Sequence, residues 1–297
     1  MSKRICLGTA MWGWSVKEIV ALNLLDRFYE SGGRYIDTAY NYPINGEKNK
    51  LTYSAKLISQ WIKTSGVNDL KVFFKIGSVT NEKINTINLS RENLTKMTSL
   101  SEDLFARNLY SLMIHWDNRE HLSEIKETLF HLSESCEKKK VRLGLSGIKS
   151  TGLYQEIINR MDGLHIDQQV KSSFLSGDVD IIMGTREIDL RLWAYGISGS
   201  GLKLDKSEYR NNSYVKLTRS DDYHEKMLSC EISESIKSYI SESNLVENLY
   251  QYAMLKKEQD KRYFGYLVSP SNVNQLKQII NFKNKYDDLP PKNTSSI

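Results

Sequence analysis

A single-domain α/β protein, a (β/α)8 TIM barrel, is the fold that this chain predicts. Three observations lead there. Short apolar runs alternate with longer amphipathic stretches along most of the sequence, and alternating βα units imply a parallel sheet. About eight such units fill roughly 280 residues, which fits a closed barrel better than an open sheet. The chain has 297 residues, 40% hydrophobic and 26% charged, enough for one large core.

The first strand is expected at residues 5–7. Ser15-Val16-Lys17-Glu18 has the pattern of a capping box, in which serine and glutamate satisfy each other's backbone donors. Ile19, Val20, Ala21, Leu24, Leu25 and Phe28 then repeat at helical spacing until Gly32-Gly33 stops the run. The second strand lies in Arg34-Tyr35-Ile36-Asp37 and the third in Val72-Phe73-Phe74-Lys75, with a helix at 51–63 between them. A helix at 90–104 precedes the fourth strand, Leu112-Met113-Ile114-His115. In the next helix, 121–138, Leu122, Ile125, Leu129, Leu132 and Cys136 form a one-sided stripe suited to packing on strands. Strands at 142–146, 164–170, 190–196 and 263–268 complete the set. Residues 198–222 are polar, weakly periodic and long for a barrel loop, so they are either a functional cover or disordered. Helices at 232–241 and 245–257 precede the last strand. The barrel domain is drawn over 1–285, and 286–297 as a frayed tail.

Composition narrows the function. The net charge of +5 is mild, and the one tight basic run, Lys138-Lys139-Lys140 with Arg142, suits the end of a helix. Nucleic acid is therefore not an expected partner. Nothing approaches the ~20 apolar residues of a membrane span, so no membrane association is expected. No apolar run follows Lys3 and Arg4, so no signal peptide is expected. Three widely spaced cysteines argue against a disulfide framework and for a reducing cytoplasm. His115 and Asp117 lack a third ligand at metal spacing, so no metal is expected. The expected assembly is a monomer.

A barrel enzyme gathers its reactive groups at the C-terminal ends of its strands. Asp37, Lys75 and His115 end three neighbouring strands, and Tyr42 lies just past the first of these ends. Such a set can reduce a carbonyl. Tyrosine can protonate the oxygen but is a weak acid with a pKa of ~10. A nearby cation, Lys75, stabilises the phenolate. A buried lysine tends to neutralise unless a carboxylate holds its charge, which Asp37 can do. His115 can orient and polarise the carbonyl oxygen. Trp12, Trp14, Tyr42 and Trp116 are candidates for an aromatic-walled substrate pocket, with Tyr40 near its mouth, and such walls suit sugar rings and aromatic aldehydes alike.

In order, spacing and flanking residues, Asp37, Tyr42, Lys75 and His115 resemble the tetrad of the aldo-keto reductase family. The resemblance runs from about Leu7 to Ile280 and implies an NAD(P)H-dependent oxidoreductase with NADPH as cofactor. Trp12 is similar to the family's first pocket aromatic. Ser146 and Gln169 resemble the strand ends that hold the nicotinamide carboxamide, and Tyr195 resembles the tyrosine that stacks on its ring. Gly196, Gly199, Ser200 and Gly201 look like the loop that approaches the pyrophosphate. Some positions depart from the pattern. Gly147 stands where the family usually has asparagine, and Pro43 where glycine is common in part of it. Aligned on Ser269-Pro270, the positions that read the 2′-phosphate and adenine fall on Tyr266, Leu267, Asn272, Gln275 and Leu276, none of them basic. Ser269, Ser271 and the start of the following helix are left to hold a phosphate weakly, so NADH is expected to be accepted beside NADPH. The alternative is a cofactor-binding sensing barrel with little or no turnover.

Overall fold

Each expected apolar run forms a strand, and the strands close on themselves. The computed structural model describes residues 2–82, 86–176, 181–182, 188–211 and 213–290. Arg4–Gly8 (β1), Tyr35–Ala39 (β2), Lys71–Ile76 (β3), Leu109–His115 (β4), Arg142–Ser146 (β5), His165–Lys171 (β6), Asp189–Tyr195 (β7) and Tyr263–Val268 (β8) form a parallel barrel in sequence order. The closing pair runs from Arg4 opposite Gly265 to Leu7 opposite Val268. Strands such as β2 and β5 are buried on both faces, as a sheet wrapped by helices requires. Positions on both faces are therefore shut from solvent, the polar Asp37, Thr38, Arg142 and Ser146 among them.

The helical layer contains Glu18–Glu30 (α1), Tyr53–Ser65 (α2), Arg91–Phe105 (α3), Leu122–Lys139 (α4), Thr151–Ile158 (α5), Tyr214–Thr218 (α6), Tyr223–Met227 (α7), Cys230–Glu242 (α8), Leu249–Gln259 (α9) and Val273–Asp287 (α10). The stripe on α4 packs as expected: Ile125, Leu129, Leu132 and Cys136 are buried. Ser90 caps α3 by accepting from the Asn93 amide at 3.3 Å. The expected capping box at Ser15 does not form. The helix starts at Glu18, and its N-cap is Lys17, which makes no side-chain cap bond. The chain before it is held in a tight loop, Val16 N–H on Met11 O at 3.0 Å and Gly13 N–H on Val16 O at 2.9 Å. Burial of Val16 in that loop delays the helix, and the Glu18 carboxylate accepts from the Tyr53 hydroxyl instead. The start of α9 is also later than expected, because Asn248 caps it, accepting from the Gln251 amide at 3.0 Å.

The lower end of the barrel, where the strands begin, is filled. Tyr35, Phe73 and Trp193 pack together there, with Tyr110 and Phe264 against them. Trp193 Nε1 donates to Asp167 at 2.7 Å, and Arg142 bridges Asp167 and Asp189, each at 2.5 Å. The buried Asp167 and Arg142 are thus paired and hydrogen-bonded, which removes the large cost of an isolated buried charge. The expected tail begins inside the end of α10, and residues 291–297 lie outside the described residues. Among the described residues, no helix is long and apolar enough to cross a membrane.

Candidate active site

The upper end of the barrel opens into a cavity of about 600 Å³. Parallel strands deliver their last residues to it. Asp37 on β2, Lys75 on β3 and His115 on β4 all line it, and so does Tyr42. Two backbone bonds fold the chain after β2 so that Tyr42 turns inward: Tyr40 N–H to Lys75 O at 2.9 Å and Tyr42 N–H to Ala39 O at 3.3 Å. The predicted tetrad therefore converges.

Lys75 and Asp37 form an ion pair with both residues almost fully buried. The lysine nitrogen lies 4.7 Å from the centre of the Tyr42 ring. Lys75 makes no direct hydrogen bond to the Tyr42 hydroxyl. The ammonium turns to the stronger acceptor, the carboxylate, and such bonds are often loose without ligand. Tyr42 and His115 meet edge to face, with ring centres 5.9 Å apart. Burial, the Asp37 charge and the Tyr214 phenol push the Tyr42 hydroxyl well above the ordinary phenol range. Burial and the Lys75 cation pull the His115 imidazole well below its ordinary range. The pair at the mouth is therefore a protonated phenol and a neutral imidazole.

The neighbouring strand ends supply polar groups. Ser146 Oγ, ending β5, donates to Gln169 Oε1 at 3.0 Å, and Gln169 Nε2, on β6, donates to Asp37 Oδ1 at 2.5 Å. Tyr195, ending β7, lines the same wall, followed by Gly196, Ser200 and Gly201. Gly199 belongs to this turn but does not line the cavity; its carbonyl accepts from the Tyr223 hydroxyl at 3.1 Å. Ser269 reaches the mouth beside Gly8, where a Cβ would lie 2.6 Å from the serine oxygen.

Other expected positions lie elsewhere. Trp12 is 1% exposed and belongs to the core under the first turn. Trp14, two residues on, lines the cavity with Met11, and Trp116 lines it as well. Tyr40 packs against the core and is not in the lining. Tyr266 is buried and donates to Glu258 at 2.8 Å, so its side chain faces the helices. Asn272 caps α10, accepting from the Gln275 amide at 3.0 Å, and Leu276 is core. Ser271 is an exposed residue whose amide and hydroxyl both go to Gln275 Oε1, at 2.7 and 3.0 Å, and it does not line the cavity. Of these aligned positions only Leu267 touches the cavity.

The described part of the polar segment after β7 forms the rim. Tyr214, Thr218 and Arg219 line the cavity. Arg219 Nη2 donates to Ser200 Oγ at 3.1 Å, and its Nε is buried with no partner among the described residues. A buried guanidinium N–H without an acceptor, set at a glycine-rich turn, fits a phosphate-bearing ligand. Lys171, ending β6, also lines the wall. The length and polarity of 198–222 marked this segment as a cover or a disordered stretch, but its weak periodicity gave no signal for Arg219 itself.

A closed parallel barrel with this arrangement at its C-terminal mouth is the architecture of a barrel oxidoreductase. The sequence profile of the Aldo/keto reductase family matches residues 4–293. The chain belongs to this family, whose members carry out carbonyl redox chemistry with nicotinamide cofactors. Over 165 residues it is 30% identical to norsolorinic acid reductase stcV of Emericella nidulans; the match covers 48% of this chain and 38% of the length of that relative.

Proposed function

We propose that this protein reduces an aldehyde or ketone to the alcohol, with Tyr42 as the proton donor and with NADPH, or NADH, as reductant. The observation that carries the reading is the buried Lys75–Asp37 pair set against the Tyr42 ring beside a neutral His115. When bound, the cofactor supplies a hydride to the carbonyl carbon. Tyr42 supplies the proton to the oxygen, and its raised pKa keeps that proton in place until charge develops on the substrate. Lys75 then stabilises the phenolate left behind, and Asp37 keeps Lys75 charged inside the barrel. The neutral imidazole of His115 donates to the carbonyl oxygen without competing for the proton.

Ser146 and Gln169 are the groups for the carboxamide, with Tyr195 against the nicotinamide ring. Gln169 is tied to Asp37, so cofactor contact and the ion pair share one network. Arg219 and the turn at Gly196, Gly199, Ser200 and Gly201 suit the pyrophosphate, which both reduced cofactors carry. Ser269 is left to contact the adenosine side. Tyr266 and Asn272 are committed to Glu258 and the helix cap, so discrimination for the 2′-phosphate should be weak.

Trp14, Met11, Ile44, Trp116 and Tyr214 form walls that accept a sugar ring or an aromatic carbonyl compound. Cys6, Cys136 and Cys230 are all free, which suits a reducing cytoplasm, and a monomer is proposed there. A second reading, a cofactor-sensing barrel with little turnover, draws support from the missing Lys75–Tyr42 hydrogen bond. Incubating the purified chain with NADPH or NADH and a panel of aldehydes, ketones and aldoses separates them. Oxidation of the cofactor at one or more turnovers per minute supports the reductase. Tight cofactor binding without oxidation across the panel supports the sensor.

A further inference from the structure

Two residues on neighbouring strand ends share the left-handed backbone region. Trp116 follows β4 at φ 61°, and Gly147 follows β5 at φ +67°. Backbone bonds hold the two turns together: Trp116 N–H on Ser146 O at 2.9 Å and Lys149 N–H on Asp117 O at 3.0 Å. Asp117 is fixed in turn by Arg119, at 2.7 Å, and by the Tyr154 hydroxyl, at 2.6 Å. A Cβ at Gly147 would lie 2.2 Å from Trp116 Cδ1 and 2.9 Å from Nε1. The indole thus occupies the room that any side chain at 147 needs.

The same indole lies against His115. Their ring centres are 4.1 Å apart and their planes 31° apart. His115 Nδ1 is buried and has no hydrogen-bond partner among the described residues. Active-site imidazoles are commonly oriented by a hydrogen bond to the second ring nitrogen, which also fixes the tautomer. Among the described residues, no polar group does this for Nδ1.

We infer that Trp116 is the positioning residue for His115, and that Gly147 exists to admit it. The indole face on one side and the Tyr42 edge on the other fix the tilt of the imidazole by packing. Restricting the tilt keeps one ring nitrogen aimed at the cavity. A side chain at 147 expels the indole, and the imidazole loses its support. The inference rests on the reductase reading for its effect on rate. Its structural content does not depend on that reading.

The test combines kinetics with nitrogen NMR of the histidine ring. Trp116→Ala should lower kcat by roughly 10- to 100-fold, the usual effect of a displaced reacting group, with cofactor Kd within threefold of wild type. In the wild type, the His115 ring nitrogen signals should be sharp and single; in Trp116→Ala they should broaden or split as the ring samples more than one tilt. Trp116→Phe should restore most of both. Gly147→Ala should mimic Trp116→Ala, yet add little in the Trp116→Ala background. The backbone strain of alanine at positive φ is present in both backgrounds, so the cycle isolates the clash. An unchanged His115 spectrum and kcat in Trp116→Ala overturn the inference. So does a Gly147→Ala penalty that is the same with or without the indole. If Gly147→Ala fails to fold, the two Trp116 variants decide alone. A wild type that reduces no carbonyl defeats the reductase reading, while the spectra still decide whether Trp116 positions the ring.

Discussion

Replacing Arg219 with methionine should weaken cofactor binding without weakening the fold. Among the described residues the guanidinium gives one hydrogen bond, to Ser200, and leaves Nε buried and unpaired. It also lies 5.5 and 5.4 Å from the ring centres of Tyr214 and Tyr223. Losing the hydrogen bond costs about 0.5–1.5 kcal/mol. Losing two partly exposed cation–π contacts costs about 0.5–1 kcal/mol each. Removing a buried unpaired donor returns about 1–3 kcal/mol. These terms nearly cancel, so the melting temperature should stay within a few degrees of wild type. With a phosphate-bearing ligand the balance differs. One hydrogen bond to a charged group contributes about 1.5–3 kcal/mol, so the Kd for reduced cofactor should rise roughly 10- to 150-fold. Quenching of tryptophan fluorescence by NADPH and by NADH reads this directly. Both should weaken together, and added salt should weaken the wild type more than the variant. A Kd within threefold of wild type would show that Arg219 faces no phosphate. A large loss of ligand-free stability would show that the arginine is a structural latch instead.

Tyr42→Phe should lower turnover by about 10²–10⁴-fold, the usual worth of a positioned general acid, with little change in cofactor Kd; full activity in stopped-flow assays removes Tyr42 from the reaction. Lys75→Met should be comparably slow, and because it leaves Asp37 buried without its cation, its urea midpoint should also fall. His115 is neutral in the folded protein to well below its ordinary range, while the unfolded chain takes up that proton near pH 6.5. Its contribution to stability is therefore complete above about pH 6.5 and declines as pH falls below it. Urea melts at pH 5.5 and 7.5 should show a smaller pH difference for His115→Gln than for wild type. Ser90→Ala removes the cap of α3 and should cost about 1 kcal/mol by the same melts; no change would mean that Asn88 or water replaces it.

The parts of this protein that are legible from sequence are those set by local repetition and strand ends. The strands β5 and β8 carry their bounds in the chain itself: Leu143-Gly144-Leu145 stops at Ser146, and the run from Tyr263 to Val268 stops at Ser269-Pro270. The tetrad was legible because topology brings consecutive strand ends together. What was not legible depended on contacts from afar. Ser15 has the residues of a cap, but Met11 and Val16 tie that segment into a loop first. Trp12 and Trp14 are alike in sequence, and only the turn between them decides which is core and which is wall. Tyr266 aligns with a ligand position, yet Glu258 on α9 draws it outward. Arg219 lies in a polar segment whose path over the rim is set by Ser200, Tyr214 and Tyr223, none of which imposes a period on the chain.

The packed floor of the barrel has a kinetic consequence. Among the described residues, Tyr35, Phe73 and Trp193, with the Arg142–Asp167 pair beside them, fill the lower end. Every molecule that visits the tetrad must come and go by one doorway, and the rim around Arg219 narrows it. Two reactants that share a doorway queue: the one seated deeper arrives first and departs last. Product inhibition should then be competitive only between the two forms of the deeper-seated molecule, and the slow step of each cycle should be its departure past the rim.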